Sequence, residues 1–107
     1  MIVNLSKAYD ILKKIDSTQG EKLLDHTFLD KETQNATERL REDISDFNEL
    51  VKKIDMCLST GDHNEAKKLF IIFSTIIKNI ESEFSNLSDE VDGFIRQSPL
   101  FDNMEDT

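Results

Sequence analysis

The sequence is poor in residues that break helices and in residues that form cross-links. It contains one proline, Pro99, and three glycines, Gly20, Gly61 and Gly93, in 107 residues. So few chain breakers favour long helices over many short strands. Cys57 is the only cysteine, which excludes an internal disulfide and suits a reducing compartment.

Long apolar runs are missing as well. The densest run, Leu69 to Phe73, is far shorter than the ~18 residues that a membrane span requires. The N-terminus lacks the basic region, the apolar region and the small-residue cleavage site of a signal peptide. These absences predict a cytoplasmic protein without a membrane partner.

Positive charge is scarce, above all near the C-terminus. The formal charge is −9, and residues 81–107 carry eight acidic residues but only one basic residue, Arg96. A protein that binds nucleic acid directly needs a basic surface, so we expect no direct nucleic-acid contact. Asp89, Glu90 and Asp92 are candidate contacts for a basic partner surface, although a solvated helix end explains the same charges more simply.

Motifs that carry chemistry are absent. His26 and His63 are the only histidines, and neither has a second metal ligand at a recognised spacing. The sequence has no glycine-rich phosphate loop, no CxxC pair, no nucleophile elbow and no Glu-x-x-His pattern. We therefore predict a protein that is not an enzyme, with no catalytic residue, no cofactor and no metal site.

Apolar residues recur every seven positions in two long segments, about 32–58 and 63–96. Such a/d heptad columns are typical of helices that pack along one another. The columns are Thr37, Ile44, Val51 and Leu58; Leu40, Phe47 and Ile54; Phe70, Ile77, Phe84 and Val91; and Ala66, Phe73, Ile80, Leu87 and Phe94.

The residues between these segments have the properties of a tight turn. Gly61 can take the positive φ that ends a helix, and Asp62 with Glu65 fits a capping box for a new helix. A loop this short places the two helices antiparallel. The predicted fold class is therefore all-α, with a long antiparallel helical hairpin.

A shorter helix is predicted ahead of the hairpin, from Asn4 to about Ile15. Residues 21–32 are ambiguous: they could form a short helix or begin the next one, with Asp30 as a cap if the helix restarts there. The predicted domains are a helical bundle over 1–97 and a flexible acidic tail over 98–107.

The hairpin has more apolar residues than one seam uses. Leu69, Ile72 and Ile76 form a second stripe, with Leu50 and Cys57 beside it on the other helix. Such a surface must be covered or must bind a partner. We favour the first helix as the cover, which gives a three-helix bundle; the alternative is a four-helix bundle formed by a homodimer.

The C-terminal residues Gln97-Ser98-Pro99-Leu100-Phe101 resemble the Gln-x-x-Leu-Phe peptide with which many bacterial proteins dock into the replicative sliding clamp. The resemblance covers five residues. It implies that Gln97, Leu100 and Phe101 would be the anchor residues, and apolar anchors in an acidic tail suit a partner's groove in general.

Together these features favour an acidic helical module that binds another protein, as an adaptor or a chaperone. The candidate contacts are Leu69, Ile72, Ile76, Asp89, Glu90, Asp92, Gln97, Leu100 and Phe101. The alternative is an acidic inhibitor, such as an immunity, antitoxin or phage anti-defence protein, that blocks the basic nucleic-acid-binding surface of a target protein. In both cases the expected partner is another protein, and in the second case that protein has a basic surface.

Overall fold

The computed structural model describes residues 3–99, which fold into three helices and contain no strand. The helices are α1 (Leu5–Ser17), α2 (His26–Thr60) and α3 (His63–Gln97). This confirms the all-α prediction. Within the described residues, contacts divide the chain into two compact units: unit 1 comprises 3–37 and 84–99, and unit 2 comprises Glu38–Glu83.

Helix α1 begins where the sequence predicts. The Asn4 side chain accepts a hydrogen bond from the Lys7 amide at 2.9 Å, which satisfies one of the amides left free in the first turn. The helix continues two residues beyond Ile15 and ends at Ser17.

Helix α2 begins six residues earlier than the predicted start near Glu32. The Asp25 carboxylate accepts hydrogen bonds from the amides of Thr27 and Phe28, at 3.0 and 3.2 Å, and so caps a helix that starts at His26. The suggested cap at Asp30 is therefore wrong. That residue lies inside the second turn, where its carboxylate pairs with Lys13.

The turn between α2 and α3 confirms the predicted hairpin. Gly61 has φ 77°, a conformation that side-chain-bearing residues rarely adopt. The Asp62 amide donates to the Cys57 carbonyl at 2.8 Å, which closes the end of α2 as in a Schellman motif. The Asp62 carboxylate then accepts from the Glu65 amide at 3.1 Å and caps α3.

Unit 1 is a three-helix arrangement of α1, the start of α2 and the end of α3. The Tyr9 ring is fully buried and meets the Phe28 ring edge-on, with centroids 6.0 Å apart. The Ser6 amide donates to the Thr37 hydroxyl, and the Thr37 amide donates to the Ser6 hydroxyl. The remaining buried apolar side chains of the unit are Leu5, Leu12, Leu29, Ala36 and Phe94.

Unit 2 is the antiparallel pair formed by the end of α2 and the start of α3. The Phe47 and Phe73 rings lie against each other with centroids 4.8 Å apart. The Arg39 guanidinium makes two bonds to the Glu83 carboxylate, of 2.9 and 3.0 Å. The buried apolar side chains of this unit are Leu40, Leu50, Ile54 and Ala66.

One predicted contact is wrong: α1 does not belong to the unit that contains Leu69, Ile72 and Ile76. Helix α1 has 13 residues, about 20 Å of helix, and a short connection joins it to the first turn of α2. It therefore runs back along the beginning of α2 and reaches only to Thr37.

Candidate functional site

Unit 2 is a pair of helices that leaves many of its large apolar side chains exposed. Of the ten exposed large apolar side chains in the described residues, seven lie in this unit: Ile44, Val51, Met56, Leu58, Phe70, Ile71 and Ile72. Contiguous exposed apolar surface on a small protein marks a place where another surface binds. Unit 2 is therefore the first candidate for a binding site.

The predicted stripe on α3 forms part of one such surface. Ile72 is half exposed, whereas Leu69 and Ile76 are partly buried. Leu69 also lines an open hollow of about 380 Å³ together with Met56 and Cys57 of α2, and Lys53 and Glu65 stand at its edge. We call Leu69, Ile72, Ile76, Met56 and Cys57 the Ile72 face.

The cysteine in this face is held in its neutral form. Burial raises the pKa of the Cys57 thiol, and the nearby carboxylates of Asp62 and Glu65 raise it further. A thiol that stays protonated is a poor nucleophile and a poor metal ligand. In this surface Cys57 acts as a small apolar side chain.

A second apolar surface lies where the heptad pattern predicted a buried seam. Val51, Leu58 and Phe70, each close to half exposed, line an open hollow of about 240 Å³ with Ile54 and Phe73. We call Ile44, Val51, Leu58, Phe70 and Ile77 the Val51 face. The prediction that both columns of each helix are covered is wrong here, because two helices in contact cover only the middle of an apolar arc this wide.

Unit 1 contains an apolar groove that the sequence did not indicate. It has a volume of about 370 Å³, and its walls are almost entirely apolar. Ile11 of α1 and Ile95 of α3 are both more than half exposed at its edge. The only signal in the sequence was that Ile11 lies at the edge of the apolar stripe of α1, which consists of Leu5, Ala8, Leu12 and Ile15. The full lining is Ala8, Ile11, Leu12, Ile15, Leu87, Val91, Phe94 and Ile95.

The predicted acidic contacts also lie in unit 1, and a residue from the α1–α2 connection adds to them. Partial burial raises the pKa of Glu90, and the negative charges of Asp25 and Asp89 raise it further. The fold therefore brings Asp25 to the acidic group on α3. Asp89 and Asp92 are exposed to solvent. Sequence reasoning missed Asp25 because the contact depends on the path of the connection.

Another carboxylate in unit 2 has a perturbed pKa, next to the Arg39–Glu83 pair. Burial raises the pKa of Asp43, as do the charges of Glu83 and Asp46, while Arg39 lowers it in part. Arg39, Asp43 and Glu83 line a shallow polar hollow of about 360 Å³. An arginine with two bonds to one carboxylate is held in a fixed position, which is typical of a structural ion pair.

The α1–α2 connection is organised by a buried carboxylate. Asp16 has no exposed surface and accepts hydrogen bonds from the Leu23 and Leu24 amides and from the side chains of Gln19 and His26. Burial raises its pKa, but the hydrogen bonds from Leu23, Leu24 and His26 outweigh that effect, and the net pKa lies below the ordinary value. All four donors hold the chain in place, so we assign Asp16 and His26 a structural role.

The end of α3 is tied to the same connection. Ser98 is buried, and its hydroxyl donates to the Gln19 side-chain oxygen, so packing continues one residue past the predicted boundary of the bundle. Gln97 is exposed at the last position of α3. Leu100 and Phe101, the other anchor residues of the clamp-like peptide, lie outside the described residues, as does the remainder of the predicted acidic tail.

Within residues 3–99, no group of three or more His, Cys, Asp or Glu side chains is arranged to hold a metal ion. None of the three helices, over that same range, is long and apolar enough to cross a membrane. Comparisons with protein-family models, curated proteins and solved structures found no match to this chain.

Proposed function

We propose that this protein is a non-enzymatic helical module that binds a partner protein through the Ile72 face, as an adaptor or a chaperone does. The observation that supports the proposal is the half-exposed Ile72 in a row with Leu69 and Ile76. A side chain of this size is normally buried in a core. Left in solvent one turn from Leu69, which lines an open hollow, it forms a ready contact for another apolar surface.

The chemistry of this face favours an amphipathic helix as the bound segment. Its centre is apolar and follows the axis of α3, and its edge carries one charge of each sign, Lys53 and Glu65. Helices that bind in grooves place apolar anchors at positions i, i+3 or i+4, and i+7, with polar residues outside. The single cysteine favours a site of action in a reducing compartment such as the cytoplasm.

The test compares two lysine substitutions on the same helix. Ile72→Lys places a charge within the proposed contact, while Ser85→Lys places the same charge at an exposed position of α3 that lies more than three helical turns away. Proteins captured from the native cell by the full chain are purified, and their dissociation constants are measured by calorimetry. We expect Ile72→Lys to weaken binding by about tenfold or more, and Ser85→Lys to have little effect.

A captured protein that binds both variants as tightly as the unmodified chain contradicts the proposal. Circular dichroism and urea unfolding of each variant provide the folding control. Because Ile72 is already half exposed, its replacement should cost roughly 1 kcal/mol of folding stability, so weaker binding cannot be attributed to unfolding.

The second candidate function is that of an acidic inhibitor of a protein with a basic surface. The observation that favours it is the approach of Asp25 to Asp89 and Glu90: burial raises the pKa of Glu90, and the negative charges of Asp25 and Asp89 raise it further. Complexes held by charge weaken strongly as salt rises, whereas those held by apolar contact change little. A steep salt dependence, together with weaker binding by Asp89→Asn, supports this alternative over binding through the Ile72 face.

A further inference from the structure

The Val51 face presents a separate problem, because it is exposed and yet follows the heptad pattern of a packed surface. Ile44, Val51 and Leu58 are spaced by seven on α2, and Phe70 and Ile77 are spaced by seven on α3. Val51, Leu58 and Phe70 line one hollow, so the two columns lie on the same side of the pair. Phe70 and Ile72 are two positions apart, about 200° around the helix, so this face is distinct from the Ile72 face.

We infer that the Val51 face binds the Val51 face of a second copy of this chain, in an antiparallel dimer with a four-helix core in unit 2. This inference goes beyond the proposed function, since it uses a different surface. Three observations identify the occupant as a second copy. The first two are the order of the charges that border the face on α2 and the order of those that border it on α3. The third is that the midpoints of these two charge series lie at nearly the same position along the helix pair.

On α2, the positions just outside the exposed column carry charges in the order positive, neutral, negative. They are Arg41, Asn48 and Asp55, each four residues after or three before a member of the column and therefore next to it on the helix surface. Asp55 also lines the hollow itself. When α2 lies antiparallel to α2 of the partner subunit, Arg41 faces Asp55 of the partner subunit, and the reverse pair forms as well.

On α3, the corresponding positions show the same property. Lys67, Ser74 and Glu81 border the column of Phe70 and Ile77 and again run from positive to negative. An antiparallel arrangement places Lys67 opposite Glu81 of the partner subunit. With the two-fold axis along the helices instead, α2 would face α3 of the partner subunit and Arg41 would lie opposite Glu81 of the partner subunit. Exchanging the charges of Arg41 and Asp55 separates the two arrangements, because only the antiparallel one then restores both pairs.

The charges on both helices also place the two-fold axis at the same position along the helix pair. Arg41 and Asp55 are centred on residue 48 of α2, and Lys67 and Glu81 are centred on residue 74 of α3. Phe47 and Phe73 are in ring contact, so these two centres are at nearly the same height in unit 2. A single axis perpendicular to the helices therefore satisfies both charge patterns, and it also places Ile44 opposite Val51 of the partner subunit.

Little has to change in the single chain for this dimer to form. Asp55, Lys67 and Glu81 are exposed, and within residues 3–99 no ion pair engages them. Arg41 is bonded to Glu38 at 2.9 Å, but both side chains are more than half exposed. Exposed pairs of this kind contribute little stability and rearrange readily.

The test is sedimentation equilibrium of the full chain over micromolar to millimolar concentrations. We expect a reversible dimer of twice the chain mass. Val51→Lys, which adds a charge to the centre of the face and can pair with Asp55 one turn on, should yield a folded monomer. Ser45→Lys, on the exposed side of the same helix, should leave the dimer unchanged. A wild-type chain that stays monomeric throughout overturns the inference.

A charge exchange tests the antiparallel register. Arg41→Glu alone and Asp55→Arg alone each place like charges opposite one another twice in the dimer, and each should weaken association by about tenfold. The double variant restores both pairs and should recover the dimer. Two single variants that associate as well as the wild type, or a double variant that fails to recover, overturn the proposed arrangement.

The same measurements separate this inference from the proposed function. Ile72→Lys should leave the mass of the dimer unchanged while it weakens partner binding, and Val51→Lys should do the reverse. A partner that is still bound by a monomeric Val51→Lys chain supports the function independently of the dimer.

Discussion

His26 Nε2 donates a hydrogen bond to Asp16 Oδ2 over 2.6 Å, and this contact joins the end of α1 to the first residue of α2. The Asp16 carboxylate also binds two backbone amides of the intervening connection, those of Leu23 and Leu24. A chain segment without helix or strand is thus held by one buried side chain. Such a segment would otherwise leave its polar backbone groups unpaired.

Asp16→Asn should therefore destabilise the fold. The amide that replaces the carboxylate has one acceptor oxygen instead of two, so at least one buried donor is left without a partner. We expect a loss of about 2–3 kcal/mol in the free energy of unfolding, measured by urea denaturation. Asp30→Asn is the matched control: this carboxylate is half exposed in its pair with Lys13, and its loss should change stability by less than about 0.5 kcal/mol.

The same carboxylate makes stability depend on pH at the acidic end of the range. The pKa of Asp16 lies below its ordinary value of 3.8, so in the folded protein it binds a proton less readily than in the unfolded chain. Its contribution is thus present above the unfolded-state pKa and is lost as the pH falls through the folded-state pKa. The urea concentration at the unfolding midpoint of the wild type should decrease as the pH falls below about 4. The decrease should be smaller for Asp16→Asn.

Glu90 should have the opposite effect on the pH dependence of folding stability. Burial and the charges of Asp25 and Asp89 raise its pKa above the ordinary value of 4.5, so the folded protein takes up this proton before the unfolded chain does. The ionised group therefore destabilises the fold at neutral pH, and protonation relieves the effect as the pH falls.

We expect Glu90→Gln to be more stable than the wild type at neutral pH, with the difference shrinking as the pH approaches 4.5. Calorimetric melting temperatures at a series of pH values measure this difference. Glu42→Gln, on an exposed part of α2, serves as the control. A difference that stays constant with pH would mean that Glu90 acts through packing and not through its charge.

The aromatic contact of the hairpin should account for much of the stability of unit 2. Phe73→Ala removes a ring that packs against Phe47 at 4.8 Å and Phe70 at 6.5 Å. Because Phe73 is only partly buried, we expect a loss of about 2–3 kcal/mol, read from urea unfolding. Ile71→Ala, at a largely exposed neighbour, should cost less than about 0.5 kcal/mol; equal losses would mean that the ring contact does not stabilise the pair.

The hairpin could be predicted from the sequence because its signals are local. The repeats around Phe47 and Phe73 specify two helices, and Gly61 with Asp62 specifies the turn between them. Each signal depends on residues only a few positions apart. The ends of α3 and the first residue of α1 were predictable for the same reason.

The start of α2 was not predictable, because it depends on a distant residue. Asp16 holds the connection in place from seven to ten positions away, and only then does Asp25 lie where it can cap a helix at His26. The position of α1 has a similar cause. Its apolar stripe would suit either end of the hairpin, and the pairing of Ser6 with Thr37 selects one of them.

The candidate site was predictable in part. The stripe of Leu69, Ile72 and Ile76 follows from helical spacing alone, but spacing does not indicate which apolar residues a neighbour will cover. Val51 and Phe70 were expected inside a seam and are exposed, whereas Asp25 joins the acidic group only through the folded connection. Burial depends on how the helices pack, so it can be assigned only from the structure and not from the spacing of apolar residues.

The most direct test of binding through the Ile72 face is a titration of the chain, with isoleucine methyl groups labelled for NMR, against its captured partner protein. Ile72 and Ile76 report on the proposed contact, and Ile11 and Ile95 report on the apolar groove of unit 1. We predict saturable shift changes at Ile72 and Ile76 and unchanged signals at Ile11 and Ile95. Changes confined to Ile11 and Ile95 would contradict the assignment of partner binding to the hairpin.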